Sequence, residues 1–234
     1  MLNKTIKRFY KQADVAEAEG GFAIRLDGRP IKTPAGKQLI VPSRALADAM
    51  AAEWDEQGEN VFPALMPMTQ LSSTALDRVG PERAVILEQI ARFAGTDLLC
   101  YRAEFPADLV ARQTSQWQPL LDWASHTMGA CLRTTVGVIA VEQPVASLAQ
   151  ISGWLATYDT WRLTVAQSAC AACGSLVLAL ALVERRITGE EAFALSQLDE
   201  TFQIEQWGED YEAADRRDVL KRDILAAERF LKLV

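Results

Sequence analysis

The spacing of apolar and polar positions shifts near residue 43, from a period near two to one mostly near 3.6. Phe22, Ile24 and Leu26 alternate with Ala23 and Arg25, the pattern of a half-buried strand. Asp27-Gly28 follows as a hairpin dipeptide, and the alternation resumes over Ile31 to Thr33. Pro34-Ala35-Gly36-Lys37 makes a second turn before the apolar run Leu39-Ile40-Val41, which Pro42 ends. Residues 9–42 therefore predict three or four short strands. Ser43 then suits an N-cap for SRALADAMAAEWDEQG, with Leu46, Ala49, Met50 and Trp54 on one face, Asp48, Asp55 and Glu56 on the other, and Gly58 as the stop.

From Thr69 onward the helical period dominates. Gly80-Pro81 separates one helix from the next, and Val85, Ile86, Ile90 and Phe93 form the stripe behind it. Trp117, Leu121, Ala124 and Met128 mark another helix, and the β-branched stretch Leu132 to Val141 reads as extended. Leu148, Ile151 and Leu155 mark a further helix. Thr188 and Glu191 form a capping box opening one through Leu195, Leu198 and Phe202, and the last carries Val219, Leu220, Ile224 and Leu231. The fold class expected is α+β: a small N-terminal α/β domain of short antiparallel strands at residues 1–80, followed by a C-terminal all-α helical bundle at residues 81–234.

Between Arg162 and Glu184 lie twenty-one uncharged residues, enough by length to cross a hydrocarbon layer. The first half is rich in Ala, Ser, Thr and Gln, and the fully apolar portion is Leu176 to Val183. That composition suits a helix buried all round at the centre of a bundle better than a membrane span. Cys170 and Cys173 inside it form C-x-x-C. No second such pair or His pair completes a zinc shell, and the pair lies in an apolar helical run, so it reads as core packing and no metal site is expected. Cys100 and Cys131 complete the four cysteines, a number that suits a reducing compartment in a chain of this length.

Charge and motif content remove several functions. Lys and Arg number 24 against 31 Asp and Glu, a net charge of −7, which repels phosphate backbones and anionic lipid; nucleic acid is not an expected partner. Neither G-x-x-x-x-G-K-[ST] nor G-x-G-x-x-G occurs, so no nucleotide or other cofactor is expected. His126 is the single histidine and has no nucleophile motif beside it. Residues 1–21 carry neither a long apolar run nor a small-residue cleavage site and read as neither signal peptide nor anchor. The six tryptophans read mainly as core anchors.

The blocks RFYKQADV, GGFAIRLDGRPIKTPAGKQLIVPSRALADAMAAEWDEQG, PMTQLSSTALDRV, GTDLLCYRAE, GSLVLALAL and IEQWGED closely resemble the ATP-twelve family, the assembly chaperones that act on the α subunit of the F1 sector of ATP synthase. The resemblance implies an ATP-independent, non-enzymatic chaperone. Such a protein binds the free α subunit, prevents its aggregation and promotes α3β3 assembly. A monomer is expected, and the lack of a presequence pattern in residues 1–21 points to the bacterial cytoplasm, or to the mitochondrial matrix if the chain is a mature eukaryotic form. The resemblance also implies client-binding residues: Glu205, Trp207 and Gly208 from the E-x-W-G stretch, and Asp97 from T-D-L-L-x-Y. Glu205 has an alternative reading as a helix-surface carboxylate near a C-terminus stopped by Gly208, and Asp97 as an N-cap or as a partner of Arg92 or Arg102. Two other functions stay open on the residues alone: a carboxylate enzyme using Asp97 with Glu205, which requires the two to share a cleft, and a membrane-associated scaffold.

Overall fold

In the computed structural model the described residues are 6–234; Met1 to Thr5, the start of the segment read as having no leader, lie outside them. The chain divides into two units, one formed by residues up to Arg83 together with Arg229–Val234, the other by Ala84–Glu228.

In the first unit, strand β1 (Ile6–Lys7) pairs with β6 (Asn60–Val61), while β2 (Ala13–Ala18), β3 (Gly21–Leu26) and β4 (Arg29–Pro30) form an antiparallel meander, with β5 (Ile40–Val41) also on β3. Asp27 and Gly28 both take positive φ, 48° and 78°, and Leu26 pairs with Arg29 across them, the two-residue hairpin that the dipeptide predicts. Gly21 is required on other grounds: at φ +150° a Cβ would stand 2.2 Å from the Val41 carbonyl oxygen. Helix α1 (Arg44–Asp55), capped by the Ser43 hydroxyl accepting from Leu46 N, packs on β2 and β3 through Leu46, Ala47, Met50 and Ala51. Helix α2 (Pro67–Thr74) has no cap of its own. Glu53 of α1 supplies one, its carboxylate accepting from Met68 N at 2.7 Å and from Thr69 N and Oγ1 at 2.9 and 2.8 Å. One π-helical turn, Ala75–Val79, follows α2.

The second unit is helical, with α3 (Arg83–Arg92) starting at the last residue of the first, then α4 (Ala107–Met128), α5 (Val145–Ala156), α6 (Thr160–Cys173), α7 (Leu176–Val183), α8 (Gly189–Ser196), α9 (Leu198–Trp207) and α10 (Tyr211–Leu233), whose last turns belong to the first unit. Its strands are a parallel pair of two residues each, β7 (Tyr101–Arg102) with β8 (Thr135–Val136), so the stretch read as extended is a strand only at Thr135–Val136. The Thr188–Glu191 capping box is present, but the helix it opens stops at Ser196 and restarts at Leu198. The uncharged run is likewise two helices. Gly174, at φ +64°, ends α6, and the Ser175 hydroxyl accepts from Leu178 N to start α7. All eight residues of α7 are buried, against α4, α6 and α8; each large aliphatic side chain so buried contributes about 1.5–3 kcal/mol. No helix among the described residues is long and apolar enough to cross a membrane.

Candidate functional site

Glu205 occupies the last turn of α9, which ends at Trp207. Gly208, at φ +85°, closes the helix by donating its N–H to the Ile204 carbonyl at 2.8 Å, a conformation that favours glycine. The backbone then turns into α10 at Tyr211. This corner leaves two aromatic side chains in water, Trp207 at 79% and Tyr211 at 80% exposure, where large apolar groups mark interaction surfaces when they cluster.

The Glu205 carboxylate is not free. Arg112 of α4 grips it through both guanidinium ends, at 2.9 Å to Oε1 and 2.7 Å to Oε2, with the Arg112 guanidinium 5.2 Å from the centre of the Phe202 ring. These hydrogen bonds hold the Glu205 carboxyl below the ordinary glutamate range, so it is a carboxylate throughout the neutral range. Both members are about two-fifths exposed, so a third charged group can reach the pair from solvent. The 93-residue separation of the partners explains why sequence reasoning did not find Arg112.

A cleft of about 430 Å³ lies between α9 and α10, its walls including Ile204, Trp207, Leu220, Gln203 and Arg217. Arg217 Nη2 donates to Thr201 Oγ1 at 3.2 Å and Nε stands 3.5 Å from Glu209, whereas Nη1 is buried without an acceptor. An unsatisfied buried donor at a cleft wall favours an incoming oxygen. The site as a whole offers an aromatic and aliphatic surface with fixed charges of both signs, which is the make-up of a protein-binding surface.

Asp97 lies elsewhere, fully buried. Its carboxylate accepts from Leu99 N at 3.0 Å, Ser175 Oγ at 2.8 Å and Val177 N at 2.9 Å, capping the short turn Leu98–Cys100 and the start of α7 together. Desolvation pushes its carboxyl above the ordinary range, and the donors oppose that shift. No atom of Asp97 is available to a partner in this arrangement, so the N-cap reading describes it and the client-contact reading has no surface to act through. Neither arginine weighed as its partner is engaged with it: Arg92 pairs with Glu88, and Arg102 donates to the Leu99 and Gln113 carbonyls. Asp97 and Glu205 have no common hydrogen-bond partner, so the structure does not assemble the carboxylate pair that the enzyme reading requires.

Cys170 and Cys173 are buried in α6, and burial pushes both thiols up, Cys173 to about 12; such thiols are poor nucleophiles. Among the described residues no group of three or more His, Cys, Asp or Glu is placed to hold a metal. His126 donates from Nδ1 to the Asp122 carbonyl at 2.6 Å in the last turn of α4. The exposed Val138 and Ile139, 97% and 74%, were not legible as surface, because Val-Gly-Val-Ile reads equally well as a buried strand.

Comparison with known proteins fits this arrangement. Residues 7–125 match the family model described as ATP12 chaperone protein. The crystal structure of Atp12 from Paracoccus denitrificans superposes with a TM-score of 0.91 at 38% identity, covering 97% of this chain and 98% of that one. A candidate chaperone from Agrobacterium tumefaciens superposes with the same TM-score at 46% identity, covering 97% and 85%. Protein atp12, mitochondrial, of Schizosaccharomyces pombe is 29% identical over 229 residues, which is 92% of this chain and 79% of the relative. With its family-model match over residues 7–125 and its near-complete overlap with solved structures 38% and 46% identical to it, this chain belongs to the ATP12 chaperone family.

Proposed function

We propose that the protein is an ATP-independent assembly chaperone that binds the free α subunit of the F1 sector of ATP synthase, suppresses its aggregation and promotes α3β3 assembly. The α9–α10 corner carries this reading: Trp207 and Tyr211 stand in water on either side of Gly208, beside the Glu205–Arg112 pair. An unassembled α subunit exposes apolar surface meant for its neighbours, and such patches associate unless covered. Trp207 and Tyr211 supply the apolar cover, and Glu205 supplies a charge that a basic group on the client can share with Arg112. Release needs no chemical step, because the true neighbour competes for the same surface. On this reading the protein acts as a monomer without nucleotide or other cofactor, in the bacterial cytoplasm or, for a mature eukaryotic form, the mitochondrial matrix.

Suppression of α-subunit aggregation tests this directly. Glu205→Lys is expected to weaken protection by about tenfold or more, with Glu212→Lys, a reversal further along the same surface, as the control that keeps it. The exchange Glu205→Arg with Arg112→Glu rebuilds the ion pair in reverse and is expected to keep the melting temperature without restoring protection. Full protection by the exchanged pair would make the contact purely internal and remove Glu205 from the client surface.

A further inference from the structure

On the first unit, Trp54, Ile31 and Lys32 line both of two clefts, of about 560 and 500 Å³. Trp54 is held by Tyr10, whose ring packs edge-on at 5.6 Å and whose hydroxyl donates to the Trp54 carbonyl at 2.7 Å. The indole Nε1–H is buried with no acceptor, an unfavourable state that an incoming carbonyl oxygen relieves. Ile6 and Phe9 stand at the walls, 47% and 70% exposed, and Phe62 and Leu65 flank the wall residue Pro63 at 47% and 60%. Among the described strands β1 is paired along one edge only, by β6, and an open edge accepts an extended chain.

The walls of the first of these clefts carry two cations, Arg29 and Lys32, against one anion, Asp27. Arg29 and Lys32 form no ion pair among the described residues. Asp27, the acid beside them, is occupied: its carboxylate oxygens accept from Lys11 N and Gln12 N at 3.1 Å. The whole first unit has 13 basic residues against 11 acidic, a net +2, whereas the second has 11 against 20, a net −9. An anionic segment is therefore favoured on the first unit.

We propose that these clefts form a docking site for an extended apolar polypeptide segment bearing a carboxylate, its backbone oxygen reaching Trp54 and its acidic side chain reaching Arg29 and Lys32. The site does not rest on the α9–α10 reading, and Glu205→Lys is expected to leave it intact.

Two fluorescein-labelled synthetic peptides test it on the full chain: an alternating Val/Leu sequence with one Glu, and the same sequence with Lys in that place, each with a photo-crosslinking group. The unaltered protein is expected to bind the Glu peptide about tenfold more tightly than the Lys peptide, with crosslinks at residues 6–34 and 54–74. Arg29→Glu with Lys32→Glu, both at exposed positions, is expected to erase or invert that preference at an unchanged melting temperature. Equal affinity for the two peptides, no binding of either, or crosslinks confined to residues 197–220 would overturn the proposal. Loss of peptide selectivity with α-subunit protection intact separates this site from the one at Glu205.

Discussion

The two units each place a buried acid at the start of a helix, and they do so with different completeness. In the first, Glu53 caps α2 from a position 6% exposed. In the second, Asp97 caps α7 with no exposure at all, at the centre of a helix cluster in which every residue of α7 is buried. Desolvation pushes both carboxyls up, and in both the opposing hydrogen bonds come mainly from backbone N–H groups. The difference is how many alternatives each cap has. Water can reach the neighbourhood of Glu53, with its partly exposed partner Thr69, whereas Leu99 N, Ser175 Oγ and Val177 N have Asp97 as their acceptor among the described residues. The same local chemistry is thus a helix cap in one unit and the organising contact of a core in the other.

That contrast is broken most forcefully at Asp97. Asp97→Ala strands three donors in a dry site and is expected to cost about 3–5 kcal/mol; urea unfolding of the full chain measures it, and a cost below about 1 kcal/mol would remove Asp97 from its organising role. Glu53→Gln is expected to cost less, about 1–2 kcal/mol, as for other lost caps, with faster amide exchange confined to α2.

The pH dependence sharpens the same comparison. Because both folded-state pKa values lie above their unfolded ones, the stability linked to these protons is complete below about pH 4 and is lost as pH rises through the folded values. Glu53→Gln, which cannot titrate at that position, should flatten part of that decline in a stability profile taken upward from about pH 4. The smallest effect concerns thiols. Cys131 is exposed, while Cys100, Cys170 and Cys173 are buried, so a thiol reagent added to the native protein should label one cysteine and reach four only on unfolding.

Where a signal was local, the sequence carried it. The Ser43 cap, the Asp27-Gly28 hairpin and the Thr188–Glu191 box each involve residues within four positions of one another, and each is present. The break of the uncharged run was legible in part: Gly174 followed by Ser175 is a helix stop followed by a cap, masked by the surrounding hydrophobicity. No comparable pair marks Gln197, where α8 gives way to α9. Asp27, Glu53, Asp77 and Asp97 all sit in the blocks that resemble the family, and all four accept backbone N–H groups. Much of the resemblance is therefore scaffold chemistry. It identifies the family more readily than it identifies what touches a client, and of the two readings of Asp97 open in the sequence, contact and cap, the structure shows the cap.

Asp97 also sets a schedule for synthesis. Its partners Ser175 and Val177 follow it by 78 and 80 residues, whereas Glu53 waits 15 and 16 residues for Met68 and Thr69. At a ribosomal rate of about 5–20 residues per second, the first unit's cap can close within about 1–3 s and the second unit's only after about 4–16 s. Until then the segment around Leu98–Cys100 leaves the exit tunnel without the helix it anchors, and Leu99 and Cys100, fully buried in the folded chain, lack that part of their cover.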